Sequence, residues 1–190
     1  YGFDEFILAA GYKKEVIDEY FSKFDEFTKV EIIDTGRNTM TGGRILRLKQ
    51  YLKKEKCFFM TYGDGVSDIN IKKLLKFHKS KKKLATVTAV HPPVRFGELE
   101  IVNNEVINFA EKLQTKASWI SGGFFVLDVK VLDYIKNDQI LFEREPLEKL
   151  TAEKQLVAYQ HKSFWQCMDT MRDKILLNKL WTENKAPWKK

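Results

Sequence analysis

Cysteine and histidine are scarce in this chain of 190 residues. It contains two cysteines, Cys57 and Cys167, and three histidines. Two cysteines cannot build a disulfide framework, and alone they cannot form a structural zinc site. The histidines, at positions 78, 91 and 161, lack the spacing of zinc ligands. A reducing cytoplasm is therefore the expected compartment.

Long apolar runs are missing as well. A membrane-spanning helix needs about 20 apolar residues, and the longest apolar cluster, at 6–10, is far shorter and lacks the flanks of a signal peptide. The chain also contains no G-x-G-x-x-G, no Walker A motif and no G-x-S-x-G. These absences predict no membrane segment and disfavour an α/β-hydrolase.

Charged residues make up 31% of the chain and hydrophobic residues 44%, which is typical of a globular protein. The net charge of +7 is concentrated in lysine-rich stretches such as 79–83. Such stretches are usually solvated surface, and the alternative is an anionic partner. Because the lysines are not interleaved with aromatic residues, no nucleic-acid partner is expected, and a small phosphorylated ligand suits the charge.

The first half of the chain alternates strand-like runs with helical periods. Apolar runs predict strands at 6–10, 30–33, 57–61 and 85–90, and apolar stripes predict helices at 13–24, 44–53 and 69–79. The run at 57–61 does not alternate, which indicates a strand buried on both faces of a parallel sheet. The order βαβαβαβ predicts a doubly wound, Rossmann-like α/β fold. Because a strand comes almost at once, we expect the given chain to be N-terminally incomplete.

The second half changes character. Alternation over 97–109 with a turn at Asn103-Asn104 predicts a hairpin. Further strands are expected at 119–127, 156–160 and near 164–165, with helices at 131–135, 145–153 and 174–183. Without a linker or repeat, the chain is predicted to be one α/β domain over 1–190 with a mostly parallel, mixed sheet.

Two aspartates are the first candidates for chemistry. Asp64 lies between two glycines just after the strand at 57–61, where ligands gather in open α/β sheets. A carboxylate there suits Mg²⁺, and the alternative is a functionless Asp-Gly turn. Asp169 would complete the metal site if it lay beside Asp64, and the alternative is a helix N-cap.

Two further segments offer groups for an anion. Lys112, beside Glu111 at a strand end, is a point charge for a phosphate, and the alternative is a surface ion pair. The loop at 39–44 places Gly42 and Gly43 before a helix, where backbone N–H groups are expected to be exposed. Arg44 adds a planar fork of donors.

Eight strings in order carry a family resemblance: DTG-x3-MTGGR, FxxTYGDGVSD, PPxRFGEL, F-x-EK, SGGFFVLD, EREPLEKL, FWQxMDTMRDK and LW-x4-APWK. Together they closely resemble the glucose-1-phosphate cytidylyltransferases, a family of bacterial sugar-nucleotide pyrophosphorylases, from Gly11 to the end of the chain. The resemblance implies a nucleotidyltransferase fold and a Mg²⁺-dependent reaction of CTP with α-D-glucose 1-phosphate to CDP-glucose and pyrophosphate. It also implies a role in dideoxysugar synthesis for O antigen, and a homo-oligomer.

The same resemblance assigns roles to residues. Asp64 and Asp169 match the metal aspartates, and Asp64 and Lys112 match catalytic positions. The substrate-binding positions are Thr39, Arg44, Gly63, Gly97, Glu111 and Lys112, with Thr39 and Arg44 at the nucleotide, Glu111 and Lys112 at the sugar phosphate, and Gly97 at the hexose.

The chain departs from the family pattern in several places. The family's glycine-rich GGxGTRL signature and its KPKP segment, which wrap the triphosphate, are not in this sequence, and an insertion before TGRN is shorter. Ser121 stands where asparagine is usual, and Leu113 stands where proline is usual. We therefore expect these 190 residues alone to be inactive.

Two alternatives remain open at this point. A metal-dependent glycosyltransferase could use Asp64 and Asp68 to hold a sugar-nucleotide diphosphate through Mn²⁺. A non-catalytic fragment could bind a nucleotide or another subunit only. Release of pyrophosphate or of a nucleoside diphosphate separates the two enzyme classes.

Overall fold

The computed structural model describes residues 1–23, 29–93, 97–110 and 118–189. They form an α/β structure with both parallel and antiparallel strand pairs, which confirms the predicted fold class. The chain divides into two compact units, each built from three stretches. Unit 1 comprises Tyr1–Phe59, His78–Thr86 and Val126–Val157, and unit 2 comprises Met60–Phe77, Val87–Phe125 and Ala158–Lys190. The single domain over 1–190 stays a prediction.

Ten strands and six α-helices are present in the described residues, together with a 3-10 helix at Val129–Tyr134. The strands are β1 Glu5–Ala10, β2 Lys29–Asp34, β3 Cys57–Thr61, β4 Gly65–Ser67, β5 Ala85–Val90, β6 Glu98–Val102, β7 Glu105–Ala110, β8 Ile120–Asp128, β9 Leu156–Gln160 and β10 Trp165–Cys167. The helices are α1 Lys14–Phe21, α2 Thr41–Arg47, α3 Lys49–Leu52, α4 Ile71–Lys81, α5 Glu145–Ala152 and α6 Met171–Thr182.

Unit 1 opens with a strand–helix–strand element. Strands β1 and β2 pair in parallel, from Glu5 opposite Lys29 to Ala10 opposite Asp34. The carbonyl of Ala10 accepts hydrogen bonds from the backbone N–H and the hydroxyl of Thr35, at 2.8 and 2.7 Å, so the pairing extends past the strand ends. This element fixes the start of the loop that leads to α2.

Helix α2 begins earlier than the sequence predicts. The glycines expected before the helix lie inside its first turn, and both are buried. A Cβ at Gly43 would lie 2.5 Å from the backbone of Asp138, and one at Gly42 would lie 2.7 Å from the carbonyl of Ile140. Glycine is therefore required because the helix packs directly on backbone, and the helix expected at 44–53 is two shorter helices, α2 and α3.

Four strands form one sheet in the order β3-β8-β5-β9. Strand β8 supplies fully buried apolar side chains at Phe125, Val126 and Leu127. Strand β3 is only half-buried, so the prediction that it is buried on both faces is wrong. The reason is its position at the end of this strand order, which leaves one side without a paired strand in the described residues.

In unit 2, β6 and β7 form the predicted antiparallel hairpin. Asn103 and Asn104 take positive φ values of 49° and 68°, as a two-residue turn between twisted strands requires. A shorter antiparallel pair, β4 with β10, was not predicted. No helix in the described ranges is long and apolar enough to cross a membrane.

Candidate active site

Asp64 lies in the tight connection between β3 and β4, in unit 2. Its side chain is exposed, and its carboxylate has no hydrogen-bond partner in the described part of the chain. The neighbouring Gly63 is also exposed, and a Cβ built there would meet no heavy atom within 4 Å. The turn therefore presents a carboxylate and an open stretch of backbone to solvent, as a phosphate-binding turn requires.

The antiparallel pairing of β10 with β4 places Asp169 close to this turn. The register places Cys167 opposite Gly65, and the Met168 amide donates a 2.8 Å hydrogen bond to the carbonyl of Asp64. Asp169 follows directly. The structure thus brings together the main chains of the two aspartates that the sequence proposes as metal ligands.

The interpretation of Asp169 as a helix N-cap is wrong. Thr170 caps α6: its hydroxyl accepts from the Asp173 amide, and the Asp173 carboxylate accepts from the Thr170 amide. The Asp169 carboxylate instead accepts a hydrogen bond from the Cys167 thiol, with Sγ 3.1 Å from Oδ2. The T-x-x-D spacing of a capping box was visible in the sequence and would have placed the helix start at Met171 rather than at 174.

Close backbone contacts surround the Asp64 turn. Gly123 has φ +75°, and a Cβ there would lie 2.7 Å from the ring of Tyr62, the second residue before Asp64. The indole N–H of Trp165 donates to the carbonyl of Gly122 at 2.8 Å. The Ser121 hydroxyl accepts from the Gly123 amide at 3.3 Å. No sequence pattern marks Tyr62 and Trp165 as parts of this site, because only the fold shows that they pack on this glycine pair.

Asp68 is held by other side chains of unit 2. Its carboxylate accepts from the Ser163 hydroxyl at 2.6 Å and lies 2.9 Å from Nε2 of the nearly buried His161. The same imidazole nitrogen lies 3.1 Å from the carbonyl of Phe164. These contacts tie the end of β4 to the segment before β10, so Asp68 is used by the fold and does not favour the glycosyltransferase pair with Asp64.

The second candidate segment lies in unit 1. Arg44 is on α2, and its Nη1 donates to the carbonyl of Ala10 at 3.0 Å and to the Thr35 hydroxyl at 2.7 Å. Its Nε and Nη2 have no hydrogen-bond partner in the described part of the chain. Thr39 is buried. The expectation that Gly42 exposes its N–H is wrong, since that N–H donates to the Ile140 carbonyl at 2.9 Å.

The remaining predicted positions lie at the hairpin. Gly97 precedes β6 and is exposed, and a Cβ there would come within 3.2 Å of the ring of Phe109. Glu111 and Lys112 lie outside the described residues, as does Leu113. Their roles stay predictions.

The carboxylates of Asp64 and Asp169 suit a hard divalent cation whose coordination shell is completed by substrate. No cluster of three or more metal-binding side chains occurs in the described ranges. Mg²⁺ at phosphate sites usually takes one or two carboxylates, and the substrate phosphates and water complete its shell. Asp64 and Asp169 offer two carboxylates from adjacent main-chain segments, next to open space at Gly63. The residues present therefore fit such an ion.

The chain is similar to known nucleotidyl transferases over most of its length. Residues 1–179 match the family model described as nucleotidyl transferase. Glucose-1-phosphate cytidylyltransferases of Salmonella typhi and Salmonella typhimurium are each 43% identical over 211 aligned positions, which cover 100% of this chain and 82% of the relative. The crystal structure of HddC from Yersinia pseudotuberculosis superposes with a TM-score of 0.73 at 23% identity, covering 95% of this chain and 80% of that one.

Proposed function

The chain belongs to the nucleotidyl transferase family, and from this membership we propose that it joins CTP and α-D-glucose 1-phosphate to give CDP-glucose and pyrophosphate. The names of the two Salmonella relatives support the choice of substrates. The observation that carries the proposal is the hydrogen bond from the Met168 amide to the Asp64 carbonyl. This bond places the main chains of Asp64 and Asp169 next to each other.

The proposed reaction is an in-line displacement. A phosphate oxygen of the sugar phosphate attacks the α-phosphorus of CTP, a new P–O bond forms there, and the bond to the departing pyrophosphate breaks. Because the sugar phosphate is already an anion, no general base is needed. The protein contributes positioning and neutralisation of charge.

Asp64 and Asp169 are the residues that would hold Mg²⁺. Once bound, the ion would neutralise phosphate charge as the reaction proceeds. Gly63 would let a phosphate approach the backbone, since no atom occupies the space where a Cβ would stand. Lys112 and Glu111 are proposed at the sugar phosphate, and Gly97 at the hexose, from the family resemblance alone.

Arg44 and Thr39 are proposed at the nucleotide. Arg44 is held to unit 1 by Nη1, so the direction of its guanidinium is fixed before a ligand arrives. Its Nε and Nη2 remain for acceptors such as O2 and N3 of cytosine. This division of one side chain between fold and ligand supports a role in base recognition.

We propose a cytoplasmic homo-oligomer that supplies CDP-glucose for the dideoxysugars of O antigen. Both cysteines are thiols rather than disulfide partners, which suits a reducing compartment. In the described residues β1 and β3 each end a strand order, and such edges favour association.

The test uses the product of the complete open reading frame that encodes this chain. It is incubated with CTP, glucose 1-phosphate and Mg²⁺, and CDP-glucose and pyrophosphate are quantified by chromatography. Equal amounts of both products are expected. Release of a nucleoside diphosphate without pyrophosphate would identify a glycosyltransferase, and CTP binding without product would identify a binding module.

A further inference from the structure

Asp173 is a buried acid four residues after Asp169, and it is not one of the proposed metal ligands. Asp173, in the first turn of α6, is only 7% exposed. Its Oδ2 accepts from the amide and the hydroxyl of Thr170, at 3.0 and 2.8 Å, and its Oδ1 accepts from Nε2 of Gln166 at 3.0 Å. These donors, Gln166 and Thr170, lie before and after Asp169 in the chain. The Asp173 carboxylate therefore bridges the segment that contains Asp169.

Gln166 extends this network. Its side chain is buried, and Nε2 also donates to the carbonyl of Cys167 at 2.9 Å. The Cys167 thiol donates to the Asp169 carboxylate at 3.1 Å. Hydrogen bonds therefore link Asp173 to the Gln166 amide, that amide to the Cys167 carbonyl, and the Cys167 thiol to Asp169.

A helix cap alone does not require this arrangement. Thr170 and Asp173 complete the capping box by themselves. The additional bond to Gln166 joins α6 to β10, the strand whose pairing with β4 places Asp169 beside Asp64. A buried polar amide would be costly without partners, and here both of its contacts restrain the same turn.

We infer that Asp173, together with Gln166, is a positioning residue that keeps Asp169 beside Asp64 for a divalent cation, an inference that rests on the proposed function. Two carboxylates repel each other before a cation arrives. A turn that is not held would let Asp169 move away from Asp64, and the cation would lose one ligand. Partners that orient metal ligands typically contribute about 10- to 100-fold in metal affinity.

The experiment measures binding of Mn²⁺ alone to the full-length protein, by electron paramagnetic resonance. Asp173→Ala removes the spanning carboxylate. Gln166→Met keeps the capping box and side-chain length but removes the bond between α6 and β10. Glu148→Ala, an exposed acid in the first turn of α5, is the matched control. Hydrogen exchange at the Met168 amide reports directly on whether the turn is held.

We expect both Asp173→Ala and Gln166→Met to weaken Mn²⁺ binding by about 10- to 100-fold and to speed exchange at Met168, while Glu148→Ala matches the parent protein. If Asp173→Ala fails to fold, Gln166→Met decides alone. Mn²⁺ affinity within twofold of the parent in a folded Gln166→Met variant overturns the inference. Failure of the parent protein to make CDP-glucose refutes the proposed function instead, and leaves the Mn²⁺ comparison readable.

Discussion

The amide of Met168 donates a hydrogen bond of 2.8 Å to the carbonyl of Asp64. This bond continues the short antiparallel pair of β4 and β10 by one residue. Asp169 is the next residue, so two acids that are remote in sequence have adjacent main chains. Their negative charges favour a cation, and without one they oppose each other.

Replacing either acid tests this relationship. In the full-length protein, Asp64→Asn and Asp169→Asn should each reduce turnover by about 100-fold or more, since metal stabilisation of phosphate charge is worth on the order of several kcal/mol. Asp64→Asn should leave the melting temperature nearly unchanged, because its carboxylate makes no hydrogen bond in the described part of the chain. The rate is measured by pyrophosphate release against Mg²⁺ concentration.

Asp133→Asn is the control, since Asp133 is an exposed acid on the 3-10 helix of unit 1. Equal activity of Asp64→Asn and the Asp133 control at limiting Mg²⁺ would remove Asp64 from the site.

Regular strands were recognisable from sequence because their composition is distinctive. Strands β5 and β9 have the predicted limits, Ala85–Val90 and Leu156–Gln160. The hairpin turn at Asn103-Asn104 was recognisable for a similar reason, since asparagine tolerates positive φ. In contrast, β4 has three residues, and its partner is distant in sequence. No local pattern signals such a pair, although it is what places Asp169 beside Asp64.

Glycines were the least predictable feature. The pair Gly42-Gly43 was expected to expose amide groups, yet it allows α2 to pack against the backbone of 138–140. The sequence identifies a place where a side chain is not tolerated. It does not tell whether a ligand or another part of the backbone fills the space.

Arg44 is predicted to serve both the fold and the nucleotide. Arg44→Ala should weaken CTP binding by about 1–3 kcal/mol, as expected for a lost charged hydrogen bond. It should also lower the melting temperature, because Nη1 no longer reaches Ala10 and Thr35. Calorimetric titrations with CTP and with glucose 1-phosphate, beside Lys49→Ala as control, measure the first effect. A loss of stability with unchanged CTP affinity would leave Arg44 a structural residue only.

Two glycines of unit 2 should differ in how far alanine changes the stability of the protein. Gly123→Ala should destabilise the protein by about 1–3 kcal/mol, because its φ of +75° is strained for alanine and its Cβ would lie 2.7 Å from the Tyr62 ring. Gly63→Ala should leave stability unchanged, since no atom lies within 4 Å of the added Cβ. Urea unfolding measures both. If Gly63→Ala raises KM for CTP while the protein stays stable, the open space serves the phosphate; an unchanged KM would contradict that role.

The buried His78 should make the stability depend on pH. Burial is the main cause that lowers the pKa of its imidazole from 6.5, and Lys79 lowers it further while Asp128 raises it. Its Nδ1 lies 2.9 Å from the Thr86 hydroxyl. The imidazole of His78 is therefore protonated less readily in the folded state than in the unfolded chain.

The sign of this effect follows from the protons bound by each state. Below a pH of about 6.5 the unfolded chain binds more protons at this site, so the free energy of unfolding falls as the pH falls, by at most about 1.4 kcal/mol per pH unit. Above that pH the contribution is complete. His78→Gln should flatten the dependence of stability on pH below about pH 6.5, even if it lowers stability at every pH. Urea unfolding of both proteins at several pH values measures the slopes, and parallel curves would show that another group causes the loss of stability in acid.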